Sequence, residues 1–409
     1  MKSIIRTLAF AAAVMSLFTI QSCKEKINPF DDNNYLLSAE RELTYSQDNI
    51  IQMLNVFKTQ YPDLATQIIP DVSSGAIVYS INYTTTFQGE DLEVSALVSI
   101  PSEPGHYPVL AYQNGTNTLH SKAPTVFPTD PLYEMLEMVA STGYVVVMAD
   151  YIGFGASEQM VHPYLHKEST VQTIVDMLYA LREFDEDVAK DITIDNEYYL
   201  MGYSQGGWAT LALLETLENE YSDDFNIAGT VCGAGPYDMN YFNSYVLGLT
   251  QYPMPVFLGY IANAYSEYDL FTNPLTDMFN DPYAGRIPGL YDGTKSSDEI
   301  NNQLNTSIST LFKSAYISGY ASSPAYQSIR DALTANSIEA WDSNVPLLFL
   351  HGSADTYVPP AISQNMHDNM VSAGTANCTY TVLQDCDHSG GIVPAGLAGL
   401  AFFKALRER

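Results

Sequence analysis

The sequence is poor in basic residues and cysteines, and each scarcity excludes a class of function. Its 17 lysines and arginines face 47 aspartates and glutamates, which gives a net charge of −30 and a pI of about 4.2. Because so acidic a protein repels phosphate groups, we expect no nucleic-acid partner. The four cysteines include no Cys-x-x-Cys pair, and the histidines form no cluster. The sequence therefore predicts no metal site.

Long apolar runs are also lacking, and the first apolar stretch is typical of a secretion signal. Lys2 and Arg6 give the chain a positive start, and residues 8–20 are apolar. This stretch is too short to span a bilayer comfortably, so we interpret it as part of a signal peptide.

The residues after this stretch indicate how the chain is attached to the cell. Ile20-Gln21-Ser22-Cys23 resembles a bacterial lipobox. The resemblance implies cleavage before Cys23 and lipidation of its thiol, although a plain signal peptide with an incidental cysteine is the alternative. We therefore expect residues 1–22 to be a lipoprotein signal peptide and residues 23–43 a solvated tether. The predicted location is the bacterial cell envelope, with membrane contact through the N-terminal lipid only.

If Cys23 carries lipid, three cysteines remain for other roles. They are Cys232, Cys378 and Cys386. Three thiols allow at most one disulfide within the chain, and a local bridge between Cys378 and Cys386 is one possibility in an oxidising compartment.

Alternating strand and helix patterns predict a mainly parallel sheet covered on both faces. Tyr144–Asp150 is nearly all apolar, as expected for a strand buried on both sides, and Ser169–Phe184 has the spacing of an amphipathic helix. Residues 237–340 interrupt this rhythm and are too long for a loop. We interpret them as a mostly helical cap inserted between two core segments, residues 44–236 and 341–409.

One short stretch predicts a nucleophile elbow. Gly202-Tyr203-Ser204-Gln205-Gly206 reads Gly-x-Ser-x-Gly, between an apolar strand pattern and a helix pattern. The glycines leave room for a tight turn, which presents Ser204 above the sheet. The backbone N–H of Gln205, at the positive end of the following helix, is then placed to stabilise an oxyanion.

An acyl-transfer serine also needs a base and a group that orients the base. Asp355 follows an apolar strand in His351-Gly352-Ser353-Ala354-Asp355, and His388 follows the next strand in Asp387-His388-Ser389. The chain order Ser204, Asp355, His388 is the order expected for a strand–turn–helix elbow of this kind. His351 also ends a strand, but it precedes the acid, so we interpret it as a packing or turn residue. Asp385 and Asp387 are interpreted as solvated charges.

Together these motifs resemble the α/β-hydrolase superfamily, and most closely its secretory lipase group of esterases. The resemblance covers roughly residues 76–409 and implies an α/β fold with a mainly parallel sheet, flanking helices and an inserted cap. It also implies a second oxyanion donor at Asn114-Gly115-Thr116, namely the Thr116 N–H with Gly115 allowing close approach; a plain turn is the alternative. The motif Asp150-Tyr151-x-Gly153-x-Gly155 is also similar to that group. Asp150 and Tyr151 either shape the pocket or make a structural hydrogen bond.

The sequence thus predicts a serine carboxylic-ester hydrolase that needs no cofactor. Its substrate would be a small-molecule or polysaccharide-linked ester, and cap aromatics such as Tyr241 and Phe257 either line an acyl pocket or pack the cap against itself. A serine peptidase of the same fold and a non-catalytic lipoprotein that binds glycan or lipid are the alternatives. Many such peptidases carry an added propeller domain, and the sequence shows no blade-like repeat. The presence of all three triad residues argues against the non-catalytic alternative.

Overall fold

The computed structural model of the protein describes residues 25–27, 33–58 and 61–408. Within these ranges the strands are β1 Glu25–Ile27, β2 Leu36–Tyr45, β3 Ala76–Phe87, β4 Glu90–Pro101, β5 Gly105–Gln113, β6 Val145–Ala149, β7 Ile192–Tyr203, β8 Ile227–Gly233, β9 Leu347–Gly352 and β10 Cys378–Leu383. They form one sheet in the order β1-β2-β3-β4-β6-β5-β7-β8-β9-β10.

The larger part of this sheet is parallel. Strands β5 to β10 pair in parallel with one another, whereas β1 to β4 pair antiparallel and β4 joins β6 antiparallel. The carboxyl ends of β7, β9 and β10 therefore lie at one edge, where open α/β sheets place their ligands. The predicted fold class, a mainly parallel sheet flanked by helices, is confirmed.

Fifteen helices accompany the sheet within the described residues. They are α1 Gln47–Phe57, α2 Pro62–Gln67, α3 Pro131–Val139, α4 Lys167–Asp187, α5 Gln205–Glu220, α6 Met239–Leu247, α7 Pro255–Glu267, α8 Leu275–Met278, α9 Tyr283–Arg286, α10 Ser297–Asn301, α11 Ile308–Leu311, α12 Ser314–Gly319, α13 Gln327–Ala335, α14 Ala361–Ala373 and α15 Ile392–Arg407. None of them is long and apolar enough to cross a bilayer.

Two apolar layers hold the helices against the two faces of the sheet. Alternate residues of β6 show the division, because Val145 and Val147 pack with α4 and α5, whereas Val146 and Met148 pack with α1, α3 and α15. All four valine and methionine side chains are fully buried. A strand this apolar is stable only between two covered faces, as its sequence predicted.

Part of the predicted tether is instead a strand of the sheet. The segment expected to be solvated, residues 23–43, includes most of β2, which pairs antiparallel with β3. Leu36, Ala39 and Leu43 are buried, and the backbone N–H groups of Asn34, Tyr35 and Leu36 donate to the Glu183 carboxylate on α4. The tether prediction is therefore wrong for residues 36–43. The lipidation site predicted at Cys23 lies outside the described residues.

The cap consists of α6 to α13, and its described residues contain no strand, so the prediction of a mostly helical insertion is confirmed. Stacked tyrosines join it to the core. The Tyr260 ring stacks on the core residue Tyr164, with ring centroids 4.3 Å apart, and on Tyr291 at 4.6 Å. The Tyr265 hydroxyl donates to the Leu165 carbonyl oxygen at 2.9 Å. These buried rings hold the cap on the sheet edge where β7 and β9 end.

The three cysteines in the described part of the chain are unbridged. Cys378 begins β10 and Cys386 follows the end of that strand, so the extended backbone between them separates the two thiols. The local bridge considered from the sequence is absent for this reason.

Candidate active site

Ser204 lies on the turn between β7 and α5, in a strained backbone conformation. Its φ is 61° and its ψ is −123°, a combination that non-glycine residues rarely adopt. The Ser204 N–H donates to the Gly233 carbonyl oxygen at 2.8 Å, and the Trp208 N–H donates to the Ser204 carbonyl oxygen at 3.1 Å. These hydrogen bonds from the strand and the helix keep the Ser204 backbone in its strained conformation. The serine side chain projects from the carboxyl edge of the sheet.

The glycines around Ser204 allow neighbouring backbones to approach. A Cβ on Gly206 would collide with the Gln113 carbonyl oxygen, and a Cβ on Gly207 would collide with the Gly233 carbonyl oxygen. Close packing at these two positions brings the ends of β5 and β8 against the elbow. The loop after β5 consequently borders the serine.

The structure brings the three residues predicted as a triad into one hydrogen-bonded chain. His388 Nε2 lies 2.8 Å from Ser204 Oγ, and His388 Nδ1 lies 2.6 Å from Asp355 Oδ2. His388 and Asp355 are buried, and Ser204 is partly exposed to the pocket. An imidazole between a hydroxyl and a carboxylate can accept the hydroxyl proton while the carboxylate stabilises the resulting imidazolium.

Three further hydrogen bonds, from Tyr357, Val358 and His351, fix the Asp355 carboxylate. Its Oδ1 accepts the backbone N–H groups of Tyr357 at 2.8 Å and Val358 at 3.0 Å. Burial by itself would raise the pKa of Asp355, but hydrogen bonds from His351 and His388 outweigh burial and hold this pKa well below its usual range. The carboxylate therefore stays ionised and oriented toward His388.

His351 contacts the triad. The interpretation of His351 as a packing or turn residue did not predict this contact. Its Nε2 lies 3.1 Å from Asp355 Oδ2 and 3.0 Å from the Val358 carbonyl oxygen. Both neighbours are acceptors, so Nε2 carries the proton and Nδ1 accepts from the Ser363 hydroxyl at 2.7 Å. The signal in the sequence is the position of His351 at the strand end, four residues before the acid.

The turn that carries His388 has supports of its own. Asp387 Oδ1 accepts the Gly390 N–H at 2.7 Å, so this carboxylate caps the turn and is not only a solvated charge. The rings of Tyr203 and Tyr357 lie beside the His388 ring, with centroids 5.3 Å and 5.2 Å away. These contacts restrict the imidazole to the orientation that serves both Ser204 and Asp355.

The residues predicted to donate to an oxyanion lie around Ser204. Gln205 is the first residue of α5, so its N–H is one of those that a helix leaves without an intrahelical acceptor. Gly115 and Thr116 line the same pocket as Ser204, and the Thr116 hydroxyl is 2.7 Å from the Tyr164 hydroxyl. The role of these backbone N–H groups as oxyanion donors stays a prediction.

His162 holds the Gln205 side chain, a contact for which the sequence pattern gave no signal. Its Nδ1–H donates to the Ile152 carbonyl oxygen at 2.7 Å, so its Nε2 accepts from Gln205 Nε2 at 3.0 Å. Burial lowers the pKa of His162 to about 4. The imidazole is consequently neutral at pH 7 and fixes the first residue of α5 without adding a charge.

The Asp150-Tyr151-x-Gly153-x-Gly155 motif is structural. Asp150 accepts hydrogen bonds from Ser95 Oγ at 2.5 Å and from the backbone N–H and hydroxyl of Thr125. Burial raises the pKa of Asp150 to about 6. Tyr151 donates its hydroxyl proton to the Asn114 carbonyl oxygen at 3.2 Å. The motif thus anchors the loop after β5, and neither side chain lines the pocket at Ser204.

The pocket at Ser204 lies between core and cap and has a volume of about 360 Å³. Met254, Phe257 and Ser297 reach it from the cap, whereas Tyr241 does not line it. Tyr241 instead packs against the apolar core. Of the two cap aromatics singled out from the sequence, only Phe257 faces the pocket.

Two comparisons with known families bear on this site. Residues 132–389 match the model of a hydrolase family described as serine aminopeptidase, S33. The match spans the elbow, the acid and the base. No curated protein matches the chain.

Among solved structures, several resemble most of the chain. A protein from Legionella pneumophila described as a hydrolase has a TM-score of 0.82 and 25% identity, covering 92% of this chain and 99% of its own. The rice cell wall degrading esterase LipA from Xanthomonas oryzae has a TM-score of 0.75 and 24% identity, covering 91% and 97%. Lipase A from Candida antarctica has a TM-score of 0.56 and 18% identity, covering 76% and 73%.

Proposed function

The chain belongs to the α/β-hydrolase family described as serine aminopeptidase, S33, and we propose that it is a serine carboxylic-ester hydrolase. The observation that carries the proposal is the continuous chain of hydrogen bonds from Ser204 through His388 to Asp355. Activity of this kind requires a nucleophile, a base and an orienting acid, and all three are in contact.

The reaction proceeds in two halves. Ser204 Oγ attacks the ester carbonyl carbon while His388 Nε2 takes the hydroxyl proton, and the imidazolium returns it to the departing alcohol as the carbon–oxygen bond breaks. This leaves an acyl group on Ser204. Water then attacks the acyl carbon with His388 again as base, which releases the acid and restores the serine. The Gln205 N–H, with that of Thr116, stabilises the oxyanion in each half.

The charges of the pocket favour an ester over the N-terminal peptide bond that an aminopeptidase cleaves. An aminopeptidase must bind the free α-ammonium group of its substrate, which calls for an unpaired carboxylate beside the nucleophile. Among the described pocket-lining residues the one carboxylate is Asp130, and it is occupied. It pairs with Lys122 at 3.1 Å and accepts the Leu132 N–H at the start of α3. The peptidase therefore remains the second candidate.

Part of the lining of this pocket is polar. Asn117, Lys122, Tyr133 and Ser389 line it together with Ser297 from the cap. Such donors and acceptors suit an alcohol that carries several hydroxyl groups, as in an acylated sugar or polysaccharide. We propose this class of alcohol; the similar structures below 25% identity support only the fold.

The test of the function is the nucleophile. Ser204→Ala should reduce the hydrolysis of p-nitrophenyl esters by on the order of 10⁴-fold or more while thermal unfolding stays unchanged. A serine-directed phosphonate should label the wild-type protein at Ser204 and should not label the variant. Near-normal activity in the variant, or labelling at another serine, would reject the assignment and favour the non-catalytic glycan- or lipid-binding alternative.

The location is a separate proposal, which depends on the lipobox-like sequence before Cys23. We propose that the mature chain begins at an acylated Cys23 and is anchored in the bacterial cell envelope. Mass spectrometry of the mature N-terminus should find the lipid on this residue, and Cys23→Ser should release the protein from membranes. A mature terminus elsewhere without lipid would contradict the proposal.

A further inference from the structure

A second cavity, on the face of the sheet covered by α3 and α15, carries an inference about the acyl group of the substrate. Leu132, Met135 and Val139 line it from α3, and Ile392 and Leu400 line it from α15. We call it the α3–α15 cleft. The cavity within it is about 70 Å³, and nearly all of its lining is apolar. An apolar lining of this kind suits a short hydrocarbon group better than a polar one.

A glycine leaves the cleft open at its centre. Ile392, Gly396 and Leu400 follow one another at intervals of four residues, so they lie on one face of α15. A Cβ placed on Gly396 would meet no atom within 4 Å. Gly399, one turn away on the same helix, shows the contrast, since a Cβ there would press on Met201 at 2.6 Å. The gap is therefore local to the face that lines the cleft.

The cleft adjoins the pocket at Ser204. Tyr112, Leu132, Tyr203 and Ile392 line both spaces. Tyr203 directly precedes Ser204. Its ring lies beside that of His388, with centroids 5.3 Å apart, so the cleft adjoins the proposed catalytic residues.

We propose that the α3–α15 cleft receives the acyl chain of the ester, so that the enzyme prefers esters of short, apolar acids to acetate esters. The inference rests on the proposed ester hydrolysis at Ser204. It assigns the two sides of the reacting carbonyl: the acyl chain lies between α3 and α15, and the alcohol faces the polar residues of the main pocket. The cap, which the sequence suggested as the acyl site, then contacts the alcohol.

The experiment fills the gap and measures the chain-length profile. The kcat/KM values of wild-type protein toward p-nitrophenyl esters from acetate to decanoate should rise by about fourfold per methylene until the cleft is full, the equivalent of ~0.8 kcal/mol for each buried methylene. Gly396→Leu should lower the ratio of butanoate to acetate kcat/KM by about 10-fold. Gly285→Leu, on exposed α9 where a Cβ also meets nothing within 4 Å, should leave the ratio unchanged.

The outcomes separate this proposal from the function on which it rests. Suppose that the wild-type protein hydrolyses the esters and that Gly396→Leu folds. If the variant then has the wild-type chain-length profile, or if its kcat/KM falls by the same factor for every ester, the cleft is not the acyl site. If the wild type hydrolyses no ester and no phosphonate labels Ser204, the proposed function itself fails.

A second measurement covers the case in which the leucine variant does not fold. Gly396→Ala adds one methyl group and favours the helix, so it should fold and reduce the ratio by a smaller factor. Alkylphosphonates from methyl to butyl should label Ser204 of the wild-type protein faster as the chain lengthens. Labelling rates that are independent of chain length would overturn the proposal.

Discussion

The sheet edge and the cap of this protein use their ordered side chains for different purposes. At the sheet edge, Ser204, Asp355 and His388 each follow a strand by a few residues, and hydrogen bonds to backbone or to each other fix every one of them. In the cap, stacked rings such as Tyr260 on Tyr291 and hydrogen bonds such as that from the Tyr291 hydroxyl to the Val256 carbonyl oxygen, at 2.6 Å, pack the helices against one another.

The difference between the sheet edge and the cap indicates which region carries out the chemistry and which region selects the substrate. All three proposed catalytic residues come from the core, and the cap contributes pocket walls such as Met254 and Phe257. Changes in the core should therefore affect every ester by a similar factor. Changes in the cap should affect the ratio between esters. Variants of the two regions test this division of roles.

The largest effect should come from the acid of the core. Asp355→Asn keeps the shape of the side chain but removes the charge that stabilises the His388 imidazolium. In triads of this kind such a change lowers kcat by on the order of 10⁴-fold. We expect a loss of that size for all p-nitrophenyl esters, measured at one pH and with unchanged thermal unfolding.

Asp385→Asn is the matched control, because it alters a carboxylate on the loop that carries His388. Asp385 is exposed and has a φ of 58°, which asparagine tolerates. This control should keep wild-type kcat. If Asp355→Asn retained more than a tenth of the activity, another group would have to orient His388.

The next largest effect should come from His351, which donates to the same Asp355 oxygen as His388. Replacing it with Phe removes a hydrogen bond to a charged group, which is typically worth about 1.5–3 kcal/mol, or roughly 10-fold to 100-fold in kcat. Because the His351 hydrogen bond helps to hold the pKa of Asp355 low, that pKa should rise in the variant. Asp355 then takes up its proton at a higher pH, so activity falls earlier as the solution is acidified.

His351→Gln distinguishes this role from simple packing. Its amide can donate from the position of Nε2, so it should recover part of the activity and move the acidic limb of the pH profile back toward the wild type. If the Phe and Gln variants share one pH profile, His351 acts only through packing.

These residues also show what a sequence can predict about this site. Gly202-Tyr203-Ser204-Gln205-Gly206 and the position of Asp355 after β9 reflect local backbone requirements, so the pattern was visible in the chain. His162 lies 43 residues before Gln205, and its contact exists only because the loop after β6 folds back over the elbow. A long-range contact of this kind produces no periodic pattern in the sequence.

The fold shows the same division between local and long-range signals. The strands of the parallel sheet are apolar runs, which can be recognised from the sequence alone. Strand β2 was missed because its pattern is mixed: polar residues such as Glu40 and Glu42 interrupt its buried positions. Its order depends on distant partners, namely β3 and the Glu183 carboxylate, which no local pattern reveals.

A smaller and more selective effect should follow from Phe257 in the cap. Phe257→Ala removes one wall of the pocket at Ser204, so it should change the kcat/KM ratio between methyl esters and esters of bulky alcohols. The expected change is about 10-fold, since contacts of this size discriminate by ~1–3 kcal/mol. Tyr241→Ala, a cap aromatic outside the pocket, should leave the ratio unchanged. Equal losses on all esters in the Phe257 variant would show that the cap also positions the triad.

The smallest effect concerns the stability of the core, at a pair of acids on α3. Glu137 is fully buried, accepts the Tyr45 hydroxyl at 3.0 Å, and keeps one oxygen without a partner among the described residues. Burial raises the pKa of Glu137 well above its ordinary value and that of neighbouring Glu134 to about 7. The unfolded chain releases these protons at lower pH, so wild-type stability should fall as the pH rises above about 4.5.

Glu137→Gln replaces this acid with a neutral group of the same shape, like the protonated carboxyl. Its advantage in free energy of unfolding over the wild type should therefore grow as the pH rises from 5 to 8, by about 1.4 kcal/mol per pH unit while the two proton affinities differ. Denaturant unfolding at pH 5, 6.5 and 8 measures this slope. Glu267→Gln, at the exposed end of α7 in the cap, should show no such growth. Equal slopes in the two variants would mean that Glu137 is ionised and solvated in the folded protein, and that α3 moves away from the sheet at alkaline pH.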